Sequence, residues 1–169
     1  MPVVLFRVDD RLIHGQVTVA WGAWLTPDRV VLVNDEVAGT DWKRDMYSAT
    51  DSMGVAVSIL SNDEFVAASA EGRWDSERVI VVLETPADLL EIARAGVDVA
   101  EANIGGMHHA EGKRELLPYV YVDDADVSAL MALAGLGARL DARDVPQARP
   151  PDLLELIRKS GSERNGGRS

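Results

Sequence analysis

The stretch Val3 to Val17, VVLFRVDDRLIHGQV, decides how the rest of the chain is read. Val3-Val4-Leu5-Phe6 is a short apolar, β-branched run of strand length. A polar turn follows from Arg7 to His14, carrying Arg7, Asp9, Asp10, Arg11 and His14. From Gly15 the period changes. Val17, Ala20, Trp21, Trp24 and Leu25 fall at i, i+3, i+4, i+7 and i+8, which predicts an amphipathic helix. In α/β proteins a strand end feeding a helix start is where ligands bind, because loop groups and helix N-terminal N–H groups converge there.

Outward from this stretch the same alternation repeats. Arg29 to Asn34 is a second strand, and its continuous apolar run favours a parallel sheet buried on both faces. A polar turn through Asp35-Glu36 leads to a helix over about 41–50, then a third strand over 55–60. Ser61 with Glu64 is a capping box opening a helix to about Glu71. Arg78 to Leu83 is a fourth strand, and Thr85-Pro86 starts a helix that Gly96 stops. A short strand over Ala102 to Ile104 runs into Gly105-Gly106-Met107-His108-His109. A sixth strand over 117–122, a helix over 124–134, a strand over 138–145 and a helix over 152–159 complete the pattern. The expected architecture is α/β: a single-domain, three-layer, open and mainly parallel sheet with helices on both faces, over residues 1–159. The polar, glycine-rich residues 160–169 are expected to be a disordered tail. Loops 7–14 and 105–113 both follow strands, so a parallel sheet would bring them to one edge.

Composition narrows the function. A chain of 169 residues is one domain, able to bury roughly two-thirds of its unfolded surface. With no cysteine, disulfides, thiolate metal sites and cysteine nucleophiles are excluded. No apolar run approaches the ~20 residues of a membrane span and no signal-peptide plan is present, so a cytoplasmic protein is expected. A net charge of −11 without a basic run argues against nucleic acid as a partner.

The chemistry-bearing residues collect in the first loop. A neutral imidazole at His14 is a competent nucleophile. A phosphoryl group on it would bring about two negative charges, which Arg11 could meet with charge-assisted hydrogen bonds and helix amides with more. Asp9 or Asp10 could hold the other ring nitrogen. The alternative is an Asp9–Arg11 loop ion pair with His14 as a helix cap. A magnesium site on Asp9-Asp10 is opposed by the flanking cations Arg7 and Arg11. His108 and His109 form no metal cluster with a second group and read as exposed loop residues. Lys113 after Gly112 lacks the spacing of a P-loop. Trp21 and Trp24 share a predicted helix face, which leaves a homodimer interface open beside core burial.

RVDDRLIHGQV, together with NIGGM and the downstream GK, resembles one family over about residues 2–157, VNDEVA and VDDADV included. It is the enzyme IIB component of the mannose/fructose/sorbose family of the bacterial phosphoenolpyruvate-dependent sugar phosphotransferase system. The resemblance implies a phosphocarrier whose first-loop histidine, here His14, takes a phosphoryl group on Nδ1 from the phosphohistidine of a IIA partner. The group then passes to sugar arriving through a IIC/IID membrane pair. The resemblance gives Arg11 and Asp9 contact with the phosphohistidine, and Gly105 and Gly106 a glycine loop beside it. Arg7, Asp10 and Gln16 complete the expected phosphate-binding set. Neither metal nor organic cofactor is implied, and the implied fold agrees with the strand–helix alternation. Two other readings of the same motif are a phosphorylation-dependent regulator that signals without delivering sugar, and a small-molecule binding module.

Overall fold

The structure, a computed structural model, describes residues 3–49 and 54–166. Its strands in chain order are β1 (Val3–Asp9), β2 (Arg29–Val33), β3 (Ala56–Leu60), β4 (Val79–Leu83), β5 (Glu101–Gly106), β6 (Arg114–Leu117), β7 (Val120–Val122) and β8 (Arg139–Asp141). Among the described residues, six of them form one parallel sheet in the order β3-β2-β4-β1-β5-β8. β4 sits between β1 and β2 and is buried at every position, as its uninterrupted VIVVL run requires.

Helices cover both faces. The first, α1, is wound as a π-helix over Gln16–Trp21 and as an α-helix over Gly22–Leu25. The others are α2 (Asp35–Ala38), α3 (Asp41–Ser48), α4 (Asn62–Ala70), α5 (Pro86–Arg94), α6 (Asp124–Gly135) and α7 (Leu153–Gly166). Alternate strand residues separate two cores. Phe6, Val8, Val31, Val33, Val79 and Val81 pack under α4, α5, α6 and α7. Val30, Leu32, Ile80 and Val82 pack with Leu12, Ile13, Val17, Trp21 and Val37 on the side of α1 and α2. The three-layer expectation holds.

Local signals placed several helix starts. Ser61 and Glu64 form the reciprocal capping box, and the Thr85 hydroxyl accepts from the Asp88 N–H ahead of Pro86. The turn at Asp35-Glu36 is itself the short helix α2, because the Asn34 side chain accepts from the Val37 N–H and caps it. The helix expected to reach Thr50 ends at Ser48, and Thr50 lies outside the described residues.

Three expectations are corrected. The sixth strand is an antiparallel hairpin, β6–β7, apart from the main sheet. Pro118 lacks an N–H and holds its φ near a turn value, so the run breaks after Leu117. The hairpin is tied to the end of β5, with Met107 N–H donating to the Tyr119 carbonyl and Tyr121 N–H to the Met107 carbonyl, each at 2.8 Å. The tail is helical to Gly166. Ser160 Oγ donates to the Ile157 carbonyl at 2.9 Å and accepts from Arg114 Nε at 3.3 Å, fixing the start of the supposed tail to β6. Residues 167–169 lie outside the described residues. Finally, Trp21 and Trp24 do not share a buried face: Trp21 is buried and Trp24 exposed. The π-winding adds about one residue to the turn and throws the later positions off the predicted stripe. Among the described residues, no helix is long and apolar enough to cross a membrane.

Candidate functional site

Asp9 is the hub of the site. Phe6 and Val8 of β1 enter one core, so the alternation turns Arg7 and Asp9 to the opposite face, beneath α1. Both belong to the strand rather than to the turn the sequence suggested, and both are fully buried. They share an ion pair, Arg7 Nη2 to Asp9 Oδ2 at 2.9 Å. Arg11 closes on the same carboxylate from outside: Nε donates to Oδ1 at 3.0 Å, Nη2 to Oδ2 at 2.9 Å, and its backbone N–H to Oδ1 at 3.1 Å. Burial alone would push the Asp9 carboxyl up; the Arg11 hydrogen bonds, with the Arg7 and His14 charges, outweigh it and hold the group below the ordinary carboxylate range. Burial also lowers Arg7, against the opposing pull of Asp9.

The chain then turns sharply. Leu12 N–H donates to the Asp9 carbonyl at 2.9 Å, and Leu12 takes a left-handed φ of 60° although it is buried. That strained conformation costs about 1–3 kcal/mol in a non-glycine residue, and it aims the Leu12 carbonyl at His14. His14 Nδ1 donates to it at 2.8 Å, which places the proton on Nδ1. His14 Nε2 lies 3.5 Å from Asp9 Oδ2. The His14 carbonyl accepts from the Val17 N–H, so the histidine stands at the entry to α1.

The second loop arrives as the topology demands, because β1 and β5 are parallel neighbours. Asp10 N–H donates to the Gly106 carbonyl at 3.0 Å, and Asp10 Oδ2 accepts from the His108 N–H at 2.7 Å. The Asp10 carboxylate also pairs with His108 Nδ1. Gly105 and Gly106 are the last residues of β5, and neither takes a positive φ. Their role is close approach. A Cβ on Gly105 would fall 2.0 Å from Arg7 Cζ, and one on Gly106 2.7 Å from Asp9 Oδ1.

Reading the sequence alone missed the support behind Arg7. Asn103, 1% exposed in β5, accepts from Arg7 Nη1 at 2.7 Å. Trp21 lies under two guanidiniums, those of Arg7 and Arg143, at 5.6 and 5.7 Å from its ring centre. Its Nε1 donates to the Asp144 carbonyl at 3.0 Å. The available signal was an asparagine inside an otherwise small and apolar strand. The Gln16 side chain lies outside the described residues. Among the described residues, no cluster of three or more histidine and carboxylate groups is arranged to hold a metal ion.

This constellation, a histidine at a helix entry with a carboxylate and a guanidinium fork on one side, sits on a chain whose relatives are well defined. The sequence family described as the sorbose subfamily IIB component of the phosphotransferase system (PTS) matches residues 3–167. The chain belongs to that family. It is 34% identical over 160 residues to the PTS system sorbose-specific EIIB component of Klebsiella pneumoniae, covering 95% of this chain and 98% of that one. The crystal structure of the IIBSor domain of the sorbose permease from K. pneumoniae superposes with a TM-score of 0.89, at 34% identity and with 95% and 98% of the two chains covered. The N-acetylgalactosamine-specific IIB component 1 of Escherichia coli superposes at 0.83, with 26% identity and 89% and 98% coverage. The mannose-specific EIIAB component of E. coli K12 is 30% identical over 94% of this chain, which spans 50% of that longer protein. The protein is thus a IIB component of the sorbose/mannose family, a phosphotransfer component that works with other proteins of the system.

Proposed function

We propose that this IIB component carries a phosphoryl group on His14, taking it from the phosphohistidine of a IIA protein and passing it to a sugar brought by a IIC/IID membrane pair. The observation that carries the reading is the placement of His14 Nε2 beside Asp9 Oδ2, on a carboxylate already gripped by the Arg11 fork. For Nδ1 to attack, it gives up its proton and the ring turns off the Leu12 carbonyl, while Nε2 takes up a proton that Asp9 accepts as a hydrogen bond. The Nδ1 lone pair then displaces the donor histidine from phosphorus: one P–N bond breaks and another forms. Arg11, partly exposed, meets the phosphoryl oxygens with charge-assisted bonds, and backbone N–H groups at the start of α1 add to them. In the second transfer a sugar hydroxyl attacks phosphorus, the P–N bond breaks and the hydroxyl proton leaves to solvent. Positioning and electrostatics dominate such a step.

Arg7 takes a different part from the expected phosphate contact. Fully buried beneath Asp9, it holds the carboxylate in place. Asp10 acts likewise by joining the two loops. The fusion in the E. coli EIIAB component supports a IIA protein as donor, and engagement with the permease would place the protein at the inner membrane face.

The deciding experiment is intact-mass analysis after incubation with phosphoenolpyruvate, the general phosphotransferase proteins and a matching IIA protein. One acid-labile phosphoryl group is expected on the wild type and none on His14→Ala. A label that survives in His14→Ala, or that His108→Ala abolishes, overturns the assignment. Discharge to sugar in membranes containing a IIC/IID pair separates a carrier from a regulator.

A further inference from the structure

Asn103 occupies the middle of β5 and is the innermost link of a buried chain of polar groups running from β8 to the phosphoryl loop. Its Nδ2 donates to Asp141 Oδ2 at 3.1 Å and to the Arg143 carbonyl at 2.9 Å. With both amide hydrogens engaged outward, Oδ1 is turned toward Arg7 and accepts from Nη1 at 2.7 Å. Arg7 spends its other terminal nitrogen, Nη2, on Asp9 Oδ2 at 2.9 Å. A planar guanidinium pinned at two nitrogens cannot rotate in its plane. Nor can it move sideways, because Gly105 lies against it on β5 and the Trp21 ring on α1.

We propose that Asn103 is a positioning residue for phosphoryl transfer, fixing Arg7 and through it the Asp9 carboxylate that Arg11 and His14 share. The proposal rests on His14 being the phosphoryl acceptor. Asp9 Oδ2 meets Arg7, Arg11 and, at 3.5 Å, His14 Nε2, so a shift of Arg7 alters the charge that the imidazole meets. Asp141 sets the amide's orientation from the outer end, where Arg143 Nε in turn holds it at 3.0 Å. The charged groups gathered at this end are Asp9 and Arg11 beside His14, Arg7 behind Asp9, Asp10 with His108 across the loops, and Asp141, Arg143 and Asp144 behind Trp21.

The test uses Asn103→Asp and Asp141→Asn in the full chain. Asn103→Asp is nearly isosteric but removes the outward donor and gives Arg7 a second carboxylate, which competes with Asp9. With less of Arg7, Asp9 stabilises a protonated imidazole more strongly. The midpoint of the His14 titration, followed by NMR of the ring protons, is expected to rise by roughly half a unit to one unit. Phosphoryl acceptance at pH 7 is expected to fall by about 1.5- to threefold through kcat, with KM for the donor unchanged, and to recover at higher pH. Asp141→Asn removes the charge that holds the Asn103 amide from its outer end and leaves it only the Arg143 carbonyl and Arg7 as fixed partners. It is expected to lower kcat at an unchanged KM, and it carries the test if Asn103→Asp does not fold.

A merely structural asparagine predicts otherwise: a lower unfolding midpoint, with the His14 titration and pH–rate profile superimposed on those of the wild type. That result, or an unchanged kcat in a folded Asp141→Asn, overturns the proposal. A shifted titration in a protein that never takes up phosphate would instead overturn the phosphocarrier reading and leave the link from Asn103 to His14 standing.

Discussion

Gly105 supplies the space that Arg7 fills: the missing Cβ would stand 2.0 Å from the guanidinium carbon on the neighbouring strand. Gly106 bears the same relation to the Asp9 carboxylate, at 2.7 Å. Gly106 pairs in register with Asp9, and Gly105 falls at the irregularity between the Val8–Ile104 and Asp9–Gly106 pairs, so both glycines face the buried ion pair on β1.

Gly105→Ala tests that match directly. Arg7 is fully buried, so the added methyl forces it off Asn103 or Asp9 with no solvent to receive it. A loss of about 2–3 kcal/mol is expected in urea unfolding, from overpacking and a broken buried hydrogen bond. A loss below ~0.5 kcal/mol would mean that Arg7 has room the structure does not show.

Arg7→Met removes the charge and keeps much of the bulk. Asp9 and the Asn103 carbonyl oxygen then each lose a buried donor. Breaking a buried pair from one side costs about 3–5 kcal/mol, so this variant is expected to fall by that amount in chemical denaturation. Wild-type stability would show that Asp9 finds another partner or takes up a proton without penalty.

Asp9 also sets an acid limit. Its folded carboxyl titrates below the unfolded value of 3.8, so its contribution to stability is present above that value. The contribution disappears as pH falls through the lower folded value. Unfolding free energies of the wild type and Asp9→Asn should therefore differ most near neutrality and converge below about pH 4. A constant gap from pH 7 down to about 2.5 would contradict the assignment.

Arg11 grips Asp9 with a fork that lysine cannot reproduce. Arg11→Lys is expected to reduce phosphoryl acceptance by about 10- to 100-fold while changing stability by less than ~1 kcal/mol, since the side chain reaches solvent. Rapid-quench labelling at saturating donor measures the first quantity and thermal unfolding the second. Equal transfer rates in the two proteins would remove Arg11 from the transfer step.

His14 offers a check that needs no donor. The Leu12 carbonyl accepts from Nδ1, so the resting protein should show the Nδ1–H tautomer in nitrogen-15 NMR of the imidazole. Phosphorylation on Nδ1 should replace that signal with one for a protonated Nε2. A resting Nε2–H form would mean that the ring is already poised for attack.

The strand–helix alternation was legible because its central elements announce themselves locally, β4 by five apolar residues in a row and α4 by its Ser61–Glu64 cap. That His14, Arg11 and Asp9 gather in one loop was legible because the motif is contiguous. What escaped the sequence depends on distant partners. Arg7 and Asp9 read as a solvated turn by residue type, and their burial makes sense only with Asn103, 96 positions away, and the glycines beside it. Asn103 opens the NIGGM motif, but the residue type gives it no role until Arg7 and Asp141 flank it. The π-winding of α1 has no counterpart in periodicity, which is why Trp24 faces solvent and leaves the stripe that the 3.6-residue period predicts. Pro118, by contrast, was a visible break in the predicted sixth strand.

The indole of Trp21, stacked under Arg7 and Arg143 and fixed by its bond to Asp144, gives the protein a native optical gauge. Indole emission responds to nearby charge, and this ring alone among the four tryptophans touches a guanidinium that grips Asp9. Trp24 and Trp42 face solvent, and Trp74 stacks with Phe65 in the other core. With those three changed to phenylalanine, the phosphoryl uptake and discharge proposed for His14 could be followed in real time by the protein's own light, with no dye attached.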